Sequence, residues 1–267
     1  MATDFLSQII EYKQYVVQKQ KKYRALASLR TDAEHRPAGR PFTQSLEAGD
    51  DATIHIIAEI KRASPSKGII RQDLNAGKLA MAYEQGGASA ISVLTEDHWF
   101  KGSIDDLSSV RAAASLPVLR KDFIISEYQI YESAVISADA VLLIVRILSR
   151  NQLRDYLDLC AELHLDALVE IHTSADAAVA ATTSARLIGI NNRNLTTFDT
   201  DTDTAAGLAG QIAPHQIPVA ASGIQTNADI LKNQEAGIRH FLIGESIVRA
   251  DDPAQFIQTL LKKDPVL

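Results

Sequence analysis

Two rhythms divide the chain. From Asp4 to Leu29 the apolar residues Phe5, Ile9, Tyr12, Val16 and Tyr23 recur at mostly three- to four-residue spacing, with Lys, Gln and Glu between them. That spacing puts them on one face of an amphipathic helix. Arg36-Pro37-Ala38-Gly39-Arg40-Pro41 then breaks helical continuity. After Gly49 the pattern changes to short apolar runs separated by helical stretches. Eight runs are predicted to be strands: Ile54–Ile60, Ala88–Leu94, Pro117–Lys121, Ala140–Val145, Ala167–Ile171, Leu187–Asn191, Ile217–Ser222 and Ile238–Ile243. Ala140–Val145 is apolar throughout, as strands covered by helices on both faces are. Strand-helix alternation implies right-handed βαβ units, and eight of them closing on themselves make a (β/α)8 barrel. A doubly wound open sheet is the competing arrangement.

The 267 residues suit one barrel of about 250 residues. The expected organisation is a single domain, with residues 1–48 as an N-terminal helical extension and 49–267 as the barrel. The extension is expected to cover the barrel mouth. With 46% hydrophobic and 22% charged residues, the chain has the means to build a core, which excludes disorder. A net charge of -6 argues against a nucleic-acid partner, and the basic run Lys19–Arg24 reads as a solvated helix face. No run is long enough to span a membrane and the start lacks a signal-peptide pattern, so the cytoplasm is the expected location. The one cysteine, Cys160, sits in a helical run and is expected to be a buried structural thiol. The histidines show no paired ligand spacing, so no metal is expected.

In such barrels the chemistry collects at the C-terminal ends of the strands. Strand one ends Ala58-Glu59-Ile60-Lys61, and its two-residue period sends Glu59 and Lys61 to the same face. Lys121 ends strand three, Glu170 lies near the end of strand five, Asn191 and Arg193 close strand six, and Ser222 follows strand seven. Singly, each is a charged or polar residue entering solvent; together they converge on one rim. Lysines crowded there should depress one another's pKa and attract an anion, with glutamates between them as proton acceptors. Ser222-Gly223-Ile224 and Ile243-Gly244-Glu245-Ser246 put glycines past the last two strands, where backbone N–H groups can approach a phosphate.

These segments carry a specific resemblance. Ala58-Glu59-Ile60-Lys61-Arg62-Ala63-Ser64-Pro65-Ser66-Lys67-Gly68 is similar to the first-strand signature of the indole-3-glycerol phosphate synthases. Ser92-Val93-Leu94-Thr95-Glu96 with Phe100, Pro117–Ile124, Ala138–Ile144, Leu168–His172, Ile188–Arg193, Ser222–Ile224 and Leu242–Ser246 follow in that family's order. The resemblance spans about residues 5 to 257. It implies a small anionic sugar phosphate as substrate, 1-(2-carboxyphenylamino)-1-deoxyribulose 5-phosphate. Lys121 would be the general acid, Lys61 would bind the substrate carboxylate, and Glu59 would hold the lysine pair and exchange protons. Glu170 would serve the dehydration, while Asn191, Arg193 and Ser222 orient hydroxyls and the aniline nitrogen. Phe100 and Leu142 would wall the aromatic ring. Gly223, Gly244, Glu245 and Ser246, helped by Ser64, would hold the phosphate. The chemistry implied is acid-base throughout, without cofactor or metal. A monomer is expected, with other tryptophan-pathway enzymes as conceivable partners.

Two positions depart from the family pattern. Ala221 stands where a glutamate is usual, and Asn194 where an aspartate is usual. Losing a carboxylate at 221 should lower the lysine pKa values and weaken activity or move its pH optimum. Ala221 also motivates the contrary reading, a weakened or silent barrel kept for partner contacts. A further rival, a phosphoribosylanthranilate isomerase, would need a cysteine on an early strand, and Cys160 lies on a late helix.

Overall fold

A computed structural model describes residues 5–194 and 198–262. Asp4, where the helical pattern starts, and the end of the barrel segment, 263–267, lie outside the described residues. Three helices come first: α1 (Phe5–Tyr23), α2 (Leu26–Glu34) and α3 (Phe42–Leu46). The single helix predicted over Asp4–Leu29 is therefore two, broken at Arg24-Ala25. The buried stripe of α1 is Leu6, Ile9, Lys13 and Val17, whereas Tyr23 is exposed. The exposed Lys19, Lys21 and Lys22 form the solvated face that the charge pattern implied.

Strands and helices then alternate. In chain order they are β1 (His55–Ile60), β2 (Ala63–Ser64), β3 (Gly68–Ile69), α4 (Ala76–Gly86), β4 (Ala90–Leu94), α5 (Ile104–Ala113), β5 (Val118–Lys121), α6 (Glu127–Val135) and β6 (Ala140–Ile144). There follow α7 (Arg150–Glu162), β7 (Asp166–Ile171), α8 (Ser174–Ala180), β8 (Leu187–Asn191), α9 (Thr204–Ala209), β9 (Ile217–Ala221), α10 (Asn227–Glu235), β10 (His240–Ile243), α11 (Glu245–Arg249) and α12 (Pro253–Leu261). The strand order β1-β10-β9-β8-β7-β6-β5-β4 is parallel and closed, so the barrel wins over the open sheet. All eight predicted strands are present, each within about two residues of its predicted limits. The two-residue strands β2 and β3 form an antiparallel hairpin over the end of β1, a feature the pattern did not predict.

Two-residue periodicity sorts the side chains into two cores. Ile57, Ala90, Leu119, Leu142, Leu168, Leu187, Val219 and Leu242 point inward and fill the barrel. Ile56, Ala58, Ile91, Val141, Val169, Ile188 and Phe241 point outward, against the helices. Helix starts are fixed by side-chain caps: Ser149 with Gln152, Thr173 with Asp176 and Thr226 with Asp229 each close a reciprocal capping box. Phe42 and Leu46 of α3 join the inner core at the N-terminal end, where His240 Nε2 lies 2.9 Å from the Leu46 carbonyl oxygen. Cys160 is buried in α7 and its thiol is pushed up to about 12, as an apolar site demands.

At the other end, Leu6 and Ile9 of α1 join the inner core. Phe5 stacks edge-on against Trp99 and Phe198, and Lys13 pairs with Asp122. The first helix thus spans the rim between the loops after β4, β5 and β8.

Candidate active site

One cavity of about 650 Å³ opens at the C-terminal rim. The structure brings every residue singled out by sequence to its wall: Glu59, Lys61, Ser64, Phe100, Lys121, Leu142, Glu170, Asn191, Arg193, Ser222, Gly223, Gly244, Glu245 and Ser246. Strand geometry explains the convergence. Glu59 shares the inward parity of Ile57, Glu170 that of Leu168, and Leu142 that of Ala140.

The charged residues are sorted into pairs. Lys61 Nζ lies 2.7 Å from Glu59 Oε1, and Lys121 Nζ lies 3.2 Å from Glu170 Oε2. Burial alone would push the Lys121 ammonium down. Glu170 and then Glu59 outweigh it, so its pKa lies above a lysine's ordinary value. For Lys121 this corrects the expectation that neighbouring lysines depress one another: the carboxylates of Glu170 and Glu59 set the direction of its shift. Burial likewise pushes Glu170 up, but Lys121, His172 and a hydrogen bond from Asn191 hold it below the ordinary carboxylate range. Asn191 Oδ1 in turn accepts from the Arg193 backbone N–H at 3.0 Å.

Glycine is required at two of the predicted positions. A Cβ on Gly244 would sit 2.5 Å from Glu59 Oε1, so only a bare backbone leaves that carboxylate its place. Gly223 has φ of +81°, and a Cβ there would press on Thr202 and Thr200 of the loop after β8. Ser222 has φ of +68°, a conformation that costs a non-glycine residue about 1–2 kcal/mol. The chain turns sharply out of β9 at this point, and strain of this kind gathers at functional sites. Ser64 is buried with its hydroxyl unpartnered among the described residues, at the cavity wall. Ser246 Oγ, by contrast, already donates to the Ile224 carbonyl at 3.0 Å.

A family profile described as indole-3-glycerol phosphate synthase matches residues 6–260. The chain is 51% identical over 259 residues to the indole-3-glycerol phosphate synthase of Desulfosudis oleivorans, covering 97% of this chain and 98% of that one. It is 45% identical to the enzyme of the same name from Syntrophobacter fumaroxidans, covering 94% and 95%. The chain belongs to the indole-3-glycerol phosphate synthase family. It is a carboxy-lyase of tryptophan biosynthesis, whose product arises by ring closure. Solved structures agree on fold at remote identity. N-acetylmannosamine-6-phosphate 2-epimerase from Clostridium perfringens superposes with TM-score 0.58 at 15% identity, covering 73% of this chain and 88% of that one. Thiamine phosphate pyrophosphorylase from Pyrococcus furiosus gives 0.59 at 13%, covering 79% and 95%.

For an indole-3-glycerol phosphate synthase, the departures fall in different settings. Ala221 is nearly buried and lines the cavity, whereas Asn194 is exposed and its backbone closes a turn with Phe198 and Asp199. Three features of the site were missed by sequence. The β2–β3 hairpin brings Ser66 within 2.8 Å of Arg193 Nη1, joining the loops after β1 and β8. Glu96 is fully buried and accepts from the backbone N–H groups of His98, Trp99 and Phe100, which fixes the turn that presents Phe100. Asp122 lines the cavity and anchors a buried network with Lys13, Arg120 and Thr95. An acid directly after Lys121, at the end of β5, was the available signal for the last of these; the hairpin left none.

Proposed function

We propose that this cavity converts 1-(2-carboxyphenylamino)-1-deoxyribulose 5-phosphate to indole-3-glycerol phosphate, carbon dioxide and water, with the following division of work. Lys121, kept protonated by Glu170 and Glu59, donates a proton to the sugar carbonyl oxygen as the aromatic carbon attacks it. Carbon dioxide then leaves from the ring carbon that made the attack. Lys61 binds the departing carboxylate, and Glu59 holds both lysines in position. In the dehydration, the hydroxyl leaves with a proton as water while Glu170 takes the proton that restores the aromatic ring. Asn191, Arg193 and Ser222 orient the sugar hydroxyls and the aniline nitrogen, between walls formed by Phe100 and Leu142. The phosphate sits on the backbone N–H groups of Gly223, Gly244, Glu245 and Ser246, with the spare Ser64 hydroxyl donating to it.

The observation that carries this reading is the pairing of Lys121 with Glu170 and of Lys61 with Glu59 around one cavity. Incubation with the anilino-sugar phosphate, followed by indole fluorescence, tests it. Turnover is expected, with loss by at least about 10³-fold in Lys121→Ala, the range for removing an acid that also binds the transition state. A flat trace from folded wild-type protein supports the silent barrel instead.

The same reading takes residues 1–48 as an extension of one barrel domain. It makes the protein a cytoplasmic monomer that works without cofactor, because each step moves only protons, carbon dioxide and water. Among the described residues no helix is long and apolar enough to cross a membrane.

A further inference from the structure

Glu170 has a neighbour that the division of work above leaves idle. His172 leaves β7 two residues later, so the strand period sends both side chains to the same side. His172 Nε2 lies 3.6 Å from Glu170 Oε1, and both side chains are almost wholly hidden from solvent. Neither ring nitrogen has a hydrogen-bond partner among the described residues. A buried polar atom left so costs about 1–3 kcal/mol and calls for an explanation. The His172 backbone N–H, meanwhile, is held by Asp176 at 3.0 Å, so the strand end is fixed while the imidazole is left unspent. His172 stands behind Glu170 rather than on the cavity wall.

The charged groups around the imidazole come from four elements. They are Glu170 on β7, Arg146 in the 3-10 turn after β6, Asp176 in the first turn of α8 and Lys121 at the end of β5. Burial lowers the imidazole pKa below its ordinary value, with Glu170 opposing and Arg146 reinforcing that. A neutral imidazole has one nitrogen that donates and one that accepts.

We propose that His172 is a positioning residue for Glu170, turning an N–H toward Oε1 so that the carboxylate stays aimed and ionised until it takes the proton released in the dehydration. This rests on Glu170 being the base of that step. Lys121 pairs with Oε2 and the Asn191 amide also bonds the carboxylate, and the imidazole, 3.6 Å from Oε1, is placed to add a further hold on that oxygen. Contacts of catalytic groups are commonly long without substrate and tighten when it binds.

The pH profile of kcat separates this role from packing. Removing a hydrogen bond to the ionised form raises the carboxyl pKa, so in His172→Phe the acidic limb should move up by about one pH unit. KM should stay within about twofold, since His172 does not face the substrate. His172→Gln keeps an N–H near the Nε2 position and should return the limb toward its wild-type place. A His172→Phe limb that overlays the wild type, or one that moves equally in His172→Gln, overturns the proposal. Glu170→Gln is the control: if it turns over like wild type, the assignment of Glu170 has failed and not only that of His172. If His172→Phe does not fold, the same comparison runs on His172→Gln against His172→Asn, whose shorter amide falls short of Oε1 and should leave the limb raised.

Discussion

Lys13 of the first helix reaches into the barrel and pairs with Asp122 at 2.8 Å, one residue past Lys121, with both side chains almost wholly buried. Asp122 also accepts from Thr95 at 2.8 Å and faces Arg120 at 3.3 Å. The extension is thereby wired to the strand that carries the proposed acid. Burial pushes the Asp122 carboxyl up, but Lys13 and Arg120 draw it below its ordinary value. Breaking a buried pair by removing one partner leaves a charge that water cannot reach.

Lys13→Met should therefore destabilise the fold by about 3 kcal/mol, at the low end of the range for such losses because Arg120 remains. Urea denaturation measures it. A midpoint unchanged from wild type would mean that the pair contributes nothing net. The activity of the variant, measured where it is still folded, should drop as the end of β5 loosens.

Gly244 and Glu59 make a second dependent pair. Gly244 has φ of -122°, so its backbone is not in the left-handed region that favours glycine. What alanine does not suit is the space, with Glu59 Oε1 2.5 Å from the new methyl. Glu59 must swing away, and its 2.7 Å contact with Lys61 goes with it. Gly244→Ala should lower kcat/KM by about 10²-fold, the scale of a 1 Å misplacement, with little change in Tm. A variant that keeps wild-type turnover would show that Glu59 need not stand where it does.

What could be read before the structure follows from how each feature is specified. The barrel strands were legible because they are short, mostly buried runs between helical stretches, some of them, such as Ala140–Ile144, apolar throughout. The site was legible because strand parity alone sends Glu59 and Glu170 inward. The two-residue hairpin strands Ala63–Ser64 and Gly68–Ile69 have no period to detect. Lys13 gave no signal for a related reason: a lysine between Ile9 and Val17 counts as polar in any helical pattern, and only the tertiary partner Asp122 makes it a core residue. The lysine pKa expectation failed because sequence lists the cations at a rim but not which carboxylate each one meets.

The two histidines at the opposite end of the barrel should make stability fall on acidification. His55 and His240 stack with ring centroids 5.1 Å apart. Burial, with His240 adding to it, pulls His55 down to about 4 from 6.5, and His240 is lowered chiefly by burial. The unfolded chain thus takes up protons first. Stability should be full above about pH 6.5 and decline as the pH falls toward 4. His55→Asn should flatten that decline in Tm measured between pH 7 and pH 4. A variant curve parallel to the wild type would assign the acid sensitivity elsewhere.

Ala221 offers the test of how charge sets the working pH. It lies beside Asn191 in the β8–β9 register and lines the cavity, so a carboxylate placed there adds negative charge to the space that Lys121 shares with Glu170 and Glu59. Added negative charge favours the protonated lysine, so its pKa rises. In Ala221→Glu the basic limb of kcat, where the acid is lost, should move to higher pH, with kcat at its optimum raised several-fold if the missing carboxylate limits turnover. Two existing carboxylates already hold Lys121 above its ordinary value, so the shift should be smaller than the one caused by Glu170→Gln, which moves the limb the other way. Fluorescence progress curves across the pH range decide it: if neither kcat nor the profile changes, position 221 has no electrostatic hold on the proposed acid.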